Sequence, residues 1–212
     1  MRTSVIYYTS NREDPTFEKK IRDDLWAKIG DTPLISVSQK PIDFGQNICV
    51  GDVGTSGFNV CRQIQIACEN AKTEFVTTAE ADCLYSPDYF YFIPPVLDIC
   101  YRNTNICVLK YKRKFFSPKS MSLFSQVVGR EFFLDRLKDL FMGAPKWSVE
   151  EKNFPKERKM KLFDDYQTFE TKFPCISFKT GKGMRQHTTT FEEELYELPH
   201  WGKAKDFIKK YL

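Results

Sequence analysis

Histidine is scarce in this 212-residue chain, with only His187 and His200, and its seven cysteines, at 49, 61, 68, 83, 100, 107 and 175, form no C-x-x-C pair. The clustered Cys and His ligands of a structural zinc site are therefore missing. An odd number of cysteines, several at apolar positions of expected elements, also argues against a disulfide framework and for a reducing interior. No apolar run approaches the roughly 18 residues of a membrane span. Met1-Arg2-Thr3-Ser4-Val5 leads straight into a strand without a signal peptide. The expected setting is soluble and cytoplasmic, the host cytoplasm if the protein is viral. Excess charge is small: 32 basic against 28 acidic residues give +4, which permits a phosphorylated partner without demanding nucleic acid. The dinucleotide fingerprint is absent too. Gly51-x-x-Gly54-x-x-Gly57 lacks the G-x-G-x-x-G spacing and does not open from the first strand, which argues against a dehydrogenase. Repeats and low-complexity tracts are lacking.

What is present suits a globular domain. Hydrophobic residues are 42% and aromatics 15%, with 19 Phe to fill a core. Val5-Ile6-Tyr7-Tyr8 reads as a strand. Asp14 then caps a helix with Pro15 at its first position, and Phe17, Ile21, Leu25 and Ile29 form its apolar stripe up to Gly30. Leu34 to Val37 is a second strand, ending at Ser38 and Gln39. After a glycine-containing loop, Thr55 or Ser56 caps a second helix with the stripe Val60, Ile64, Ala67, Cys68 and Ala71. Strands alternating with amphipathic helices argue for a parallel, doubly wound sheet. The later half is less regular. Ile99–Tyr101 and Ile106–Leu109 suggest a β-hairpin, 110–119 is basic with interleaved aromatics, Phe132 to Phe141 reads as a helix, and 146–161 as an insertion or mobile loop. Ile176 to Phe178 is a strand, and a last helix holds Trp201, Ala204, Phe207, Ile208 and Tyr211.

The most informative stretch is Thr77-Thr78-Ala79-Glu80-Ala81-Asp82-Cys83, straight after the apolar run Glu74-Phe75-Val76. In extended backbone Glu80 and Asp82 point to one side and Ala81 to the other. At the carboxyl end of a strand the pair would face the ligand crevice of an α/β sheet. Two hard oxygen donors there suit a divalent cation that in turn holds phosphates. A solvated acidic loop is the plainer alternative.

Gly57, Arg62-Gln63, Ala71, Glu74-Phe75-Val76, Glu80-Ala81-Asp82 and Pro87 follow one another as in the nucleotide-sugar glycosyltransferases of the GT-A fold, and this stretch resembles their large family-2-like group. The resemblance covers roughly the first 90 residues well. It implies an α/β fold of the GT-A, Rossmann-like kind, a three-layer sandwich with a mixed, mostly parallel central sheet. One domain over 1–212 is expected, with 1–95 binding the nucleotide sugar and 96–212 the acceptor. It also implies Mn²⁺ or Mg²⁺ as cofactor, bound by Asp82, with Glu80 contacting the ribose or the metal through water. Glu80 stands where the family has Asp.

By the same resemblance Tyr8, Thr9, Ser10, Asn11 and Arg12 help form the nucleotide pocket. Ser38 and Gln39 sit where the family usually has an Asp contacting the base, and Arg62 reaches the base or diphosphate. His187, in Gly181-Lys182-Gly183-Met184-Arg185-Gln186-His187, matches a late metal ligand, with Lys182 and Arg185 as counter-charges to the phosphates. His200 is expected to pack against the last helix. For the catalytic base, Gly129-Arg130-Glu131-Phe132 resembles a helix start of the family. Glu150-Glu151 stands for its acidic pair, so Glu151 is the candidate and Glu131 its rival.

The expected partners are a nucleoside diphosphate sugar, UDP above all, and an acceptor hydroxyl on a glycan, a lipid-linked sugar or a modified DNA base. Lys110 to Phe116 either binds an anionic acceptor or is a solvated strand with its rings turned inward. The competing reading is a non-catalytic α/β module that binds nucleotide or nucleic acid.

Overall fold

The computed structural model describes residues 2–119, 122–154, 162, 164–178 and 193–212. Strand β1 (Thr3–Thr9) is buried along all seven residues, as expected of a parallel strand covered on both faces. Helix α1 (Pro15–Ile29) follows, with the Asp14 carboxylate accepting from Thr16 N and Phe17 N, and leads to β2 (Leu34–Ser38), parallel to β1. The segment after β2, expected as loop, holds a further parallel strand, β3 (Gln46–Cys49), at the sheet edge. Its half-exposed residues carry no run of alternating apolar side chains, so the sequence pattern does not reveal it.

Helix α2 (Gly57–Asn70), N-capped by Ser56, returns the chain to the other side of β1, where β4 (Phe75–Glu80) pairs parallel with it. A two-residue strand, β5 (Cys83–Leu84), follows at once. Then come β6 (Cys100–Asn103), β7 (Ile106–Lys110), β8 (Phe115–Lys119), β9 (Gln126–Gly129), α3 (Arg130–Phe141), β10 (Tyr166–Phe169), β11 (Cys175–Phe178), β12 (Glu197–Leu198), β13 (Gly202–Lys203) and α4 (Ala204–Tyr211).

The main sheet has seven strands in the order β10-β6-β9-β4-β1-β2-β3. It is mostly parallel, with β9 antiparallel to both its neighbours. Alternation along β1 sends Ile6 and Tyr8 to one face and Val5 and Tyr7 to the other. The first face is covered by Ile64, Ala67 and Cys68 of α2 and Leu134 and Leu137 of α3. The second meets Leu25 and Ile29 of α1 together with Ile106 and Cys175 from a smaller sheet. That sheet has the order β5-β11-β7-β8, and α4 packs on it through Phe207 and Tyr211. Helices on one side and helix plus small sheet on the other make three layers.

β6 and β7 are not a hairpin. β6 lies in the large sheet and β7 in the small one, and Asn103 turns the chain between them. Its buried side chain accepts from Asn105 N and Thr171 N and donates to Thr171 Oγ1. The hairpin is instead β7–β8, with Lys114 at φ 60° in its turn. Close approach explains one glycine: a Cβ on Gly129, where β9 gives way to α3, would sit 1.7 Å from the Leu97 carbonyl oxygen.

Residues 146–161 were expected as an insertion or mobile loop; 155–161 lie largely outside the described residues, and 146–154 pack on the amino end of α2. Ser56 Oγ donates to Ser148 O, Ser148 N donates to Asn59 Oδ1, and the Phe154 ring meets Phe58 edge-on. All seven cysteines are free thiols, six of them buried. No described helix is long and apolar enough to cross a membrane.

Candidate functional site

The chain leaves β1 toward α1 and β2 on one side and returns through α2 to β4 on the other. The carboxyl ends of β1 and β4 therefore border the crevice that forms where strand order reverses. A cavity of about 220 Å³ opens there. Tyr8, Thr9 and Ser10 line it from the end of β1, and Glu80, Ala81 and Asp82 from the end of β4. Gln39 contributes from the end of β2, and Thr55, Ser56, Asn59 and Gln63 from the amino end of α2. That helix end faces the cavity with its positive pole.

Glu80 is held from two sides. Tyr8 is its register partner across β1 and β4, and the phenol donates to Glu80 Oε1 at 2.8 Å. The Tyr85 phenol accepts from Glu80 N at 2.9 Å and donates to Phe124 O. Burial, then the charge of Glu80, pushes the Tyr8 phenol well above its usual pKa, so it remains a hydrogen-bond donor to the carboxylate. Burial does the same to Tyr85. Asp82 lies in the turn after β4, not on the strand as the pleat argument assumed, and Ala81 faces the same cavity. The turn, clamped by Phe178 N donating to Asp82 O at 2.8 Å, brings the two acids together. One ligand atom each from Glu80, Asp82 and Cys83 lies within 4.8 Å of the others.

The remaining expected residues divide. Ser38 is fully buried and does not line the cavity; its hydroxyl accepts from Asn47 Nδ2. Gln39 does line it and is fixed by donating to Gly54 O. Asn11, at φ 52°, ties the ends of β1 and β2, its amide oxygen accepting from Lys40 N. Arg12 is exposed and outside the cavity lining.

Arg62 points elsewhere. Its guanidinium donates to Lys146 O and Pro145 O and sits 3.5 Å from the centroid of the Phe141 ring, and burial lowers its pKa. One residue on, a rotation of about 100° turns Gln63 inward. Its amide donates to Thr9 O at 2.9 Å and Val37 O at 3.2 Å, bracing the ends of β1 and β2. The signal was legible: Gln63 falls beside the apolar stripe, where a buried amide needs partners. Glu13, just before the cap of α1, also lines the cavity; nothing in its spacing marks it.

Glu131 lies at the far end of β4 from the crevice. Gly129 pairs with Phe75 at the amino end of β4, and five residues of strand, roughly 16 Å, separate that end from Glu80. The Glu131 carboxylate pairs with Arg130 instead. Glu150 is exposed and pairs with Lys152. Glu151 begins a short 3₁₀ turn, Glu151–Asn153, beside the amino end of α2; its side chain lies outside the described atoms, as do Lys182, Arg185 and His187. His200, expected to pack against the last helix, is exposed and stacks on Phe173 at 4.3 Å between centroids and meets Trp201 edge-on, both outside α4.

The strand order, the covering of both sheet faces and the crevice at the switch point define the GT-A, Rossmann-like α/β fold. Solved structures bear this out. The chain is similar to S. aureus TarS 1-349 in complex with UDP-GlcNAc, at 14% identity and a TM-score of 0.56 over 90% of this chain and 62% of that one. It is also similar to a glycosyltransferase involved in the glycosylation of the major capsid of PBCV-1, at 9% identity and a TM-score of 0.51, over 82% and 92%. A putative glucose-1-phosphate thymidylyltransferase from Bacillus anthracis matches at 7% identity and a TM-score of 0.51, over 82% and 89%. The chain thus spans about 60% of TarS 1-349 and 37% of the longer TarS chain. No protein-family model matches the sequence, and no curated protein does. At these identities the likeness shows the fold.

Proposed function

We propose that the protein is a metal-dependent glycosyltransferase that moves a hexose from a nucleoside diphosphate sugar, with UDP the expected nucleotide, to an acceptor hydroxyl. The observation that carries this reading is the meeting of Glu80 and Asp82 at the crevice between β1 and β4, opposite the amino end of α2. Two carboxylates are hard oxygen donors suited to Mg²⁺ or Mn²⁺. A cation bound there would offset the charge that gathers on a leaving diphosphate. In this reading Asp82 holds the metal, and Glu80, oriented by Tyr8 and Tyr85, takes the ribose or a metal-bound water. Tyr8, Thr9, Ser10 and Gln39 receive the nucleoside, and the amino end of α2 favours the diphosphate. Asn11 and Arg12 border the nucleotide from beyond β1. Glu151 takes the proton of the acceptor hydroxyl, and His187, Lys182 and Arg185 complete the metal and phosphate contacts. The solved relative with UDP-GlcNAc bound supports the choice of donor class.

Calorimetric titration with UDP in Mn²⁺ and in chelator tests this. Binding should require the metal, slow hydrolysis of a UDP-sugar should accompany it, and Asp82→Ala and His187→Ala should each weaken the metal-dependent part. Glu151→Gln should abolish transfer and leave UDP binding intact. Metal-independent binding that ignores Asp82→Ala would instead favour a non-catalytic nucleotide-binding module. Pyrophosphate release from a nucleoside triphosphate and a sugar 1-phosphate would move the reading to nucleotidyl transfer.

A further inference from the structure

The turn of the β7–β8 hairpin concentrates cations at the crevice end of the molecule. Lys110, Lys112, Arg113 and Lys114 stand within five residues with no acid among them. Lys112, Arg113 and Lys114 are exposed. Arg113 approaches Glu194 at 3.8 Å with both side chains largely in solvent, an ion pair of little strength. Lys114 also holds a left-handed φ of 60°, a conformation that disfavours a Cβ. Like charges crowded on a tight turn are tolerated against both penalties.

Register fixes where this tip lies. Asp82 O accepts from Phe178 N, and Phe178 is level with Leu109 on the parallel neighbour β7. The turn begins two residues further on, at Tyr111. Two strand spacings across, about 10 Å, and two residues along, about 7 Å, therefore separate the Asp82 backbone from the start of the cationic turn. Phe115 and Phe116 of the same stretch are 1% and 0% exposed, and Tyr111 in the turn is half-buried against the core of the small sheet. The turn offers charge ahead of stacking surface; the exposed ring beside it is Tyr196, next to Phe115.

We propose that this turn is the docking surface for a phosphodiester-linked acceptor chain, held by its phosphates and presented to the crevice. As an acceptor site it rests on the transferase reading; as a binding surface it rests on the turn alone. Burial of Phe115 and Phe116 and partial burial of Tyr111 argue against reading bases, since single-strand binders stack bases on exposed aromatics. Among the described residues of the turn, Tyr111 is the one apolar side chain, and it packs against the small sheet instead of projecting toward a bilayer.

The experiment measures anisotropy of a labelled abasic phosphodiester oligomer of about ten units, with oligothymidylate of equal length and phosphatidylglycerol-containing vesicles in parallel. Four neutralised phosphates predict a slope of log K against log salt of about −3, at about 0.7 per phosphate. The abasic oligomer and oligothymidylate should bind alike. Lys112→Ala/Arg113→Ala/Lys114→Gly should flatten the slope to about −1 or less and lower affinity at low salt at least about tenfold. The single variant Lys114→Gly should melt no lower than wild type, which separates lost charge from lost fold. Oligomer binding that ignores the triple substitution overturns the proposal. So does a strong preference for thymidylate, or binding to vesicles alone. UDP–Mn²⁺ titrations on the same samples distinguish the two readings. Intact UDP binding with an indifferent triple variant sinks only the docking surface. Wild-type protein that ignores UDP removes the transferase reading, and the acceptor role with it.

Discussion

Glu80 illustrates how much of the site is carried by single side chains. Its carboxylate takes a hydrogen bond from Tyr8 and its main chain one from Tyr85, so two buried phenols set its position before any ligand arrives. Tyr8→Phe should leave the fold intact, since the ring packs among Ile6, Val37 and Phe58 on the same face, but it removes a hydrogen bond to a charged group. Loss of about 1.5–3 kcal/mol of orientation should appear as a rise in the Kd of UDP with Mn²⁺ of about tenfold or more, read by titration. An unchanged Kd would show that Glu80 orientation does not matter to the donor. At this scale the acidic pair was legible because it directly followed an apolar strand. Arg62 was not, because helical residue types were known but their rotation was not. A cation suited the expected phosphate, yet the helix turns it to the carbonyls of Pro145 and Lys146 and presents Gln63 instead.

Among elements, the stretch 146–154 changes meaning most. Its charges, with Pro155 just beyond, made 146–161 read as an insertion, but Ser148 ties the described part to Ser56 and Asn59 at the rim of the cavity. Asn59 is the junction: its amide donates to Val53 O and Gly54 O, and its oxygen accepts from Ser148 N. Asn59→Ala strands these buried groups, and about 2–4 kcal/mol of stability should go with them. A drop in urea midpoint with weaker UDP binding is expected. Normal stability would mean that the loop and the 148 segment do not lean on α2. The first helix and the first two strands were legible end to end, because Asp14, Pro15 and Gly30 punctuate a clear apolar stripe. The supposed β6–β7 hairpin was not. Two short apolar runs around a polar tetrapeptide look the same whether the strands pair or diverge to different sheets. Asn103 and its partner Thr171, 68 residues away, decide it.

For the molecule as a whole, burial of titratable groups sets an alkaline limit. Burial pushes the Cys107 thiol up to about 12, and raises Cys68, Cys100 and Cys175 as well as Tyr7, Tyr8, Tyr85 and Tyr89. Unfolded thiols lose their protons near pH 8.5 and phenols near 10. Between those values and the folded ones the unfolded chain binds fewer protons. Stability is then full below about pH 8.5 and falls as pH rises toward 12. Urea midpoints should hold from pH 7 to 8 and drop steeply by pH 10.5; a flat profile would mean that these groups are hydrated in the native state. Donor binding acts in the opposite sense. With UDP and Mn²⁺ at about a hundred times their Kd, mass action adds about 2.7 kcal/mol, and Tm should rise by about 5–10 °C. Chelator should erase the rise.

The amino-acid sequence by itself determined the alternation of strand and helix through β4, the buried character of β1, and the acidic pair that ends the apolar run. These depend on periodicity and capping within ten or twenty residues. Only the tertiary structure decided that Asp82 reaches Glu80 through a turn clamped to β11, that Glu13 faces the cavity where Arg62 does not, and that Ser148 is tied to Ser56 and Asn59 on its lining. Each of those outcomes is a contact between segments far apart in the chain, chosen by which faces the sheet leaves open to be covered, and no local pattern encodes it.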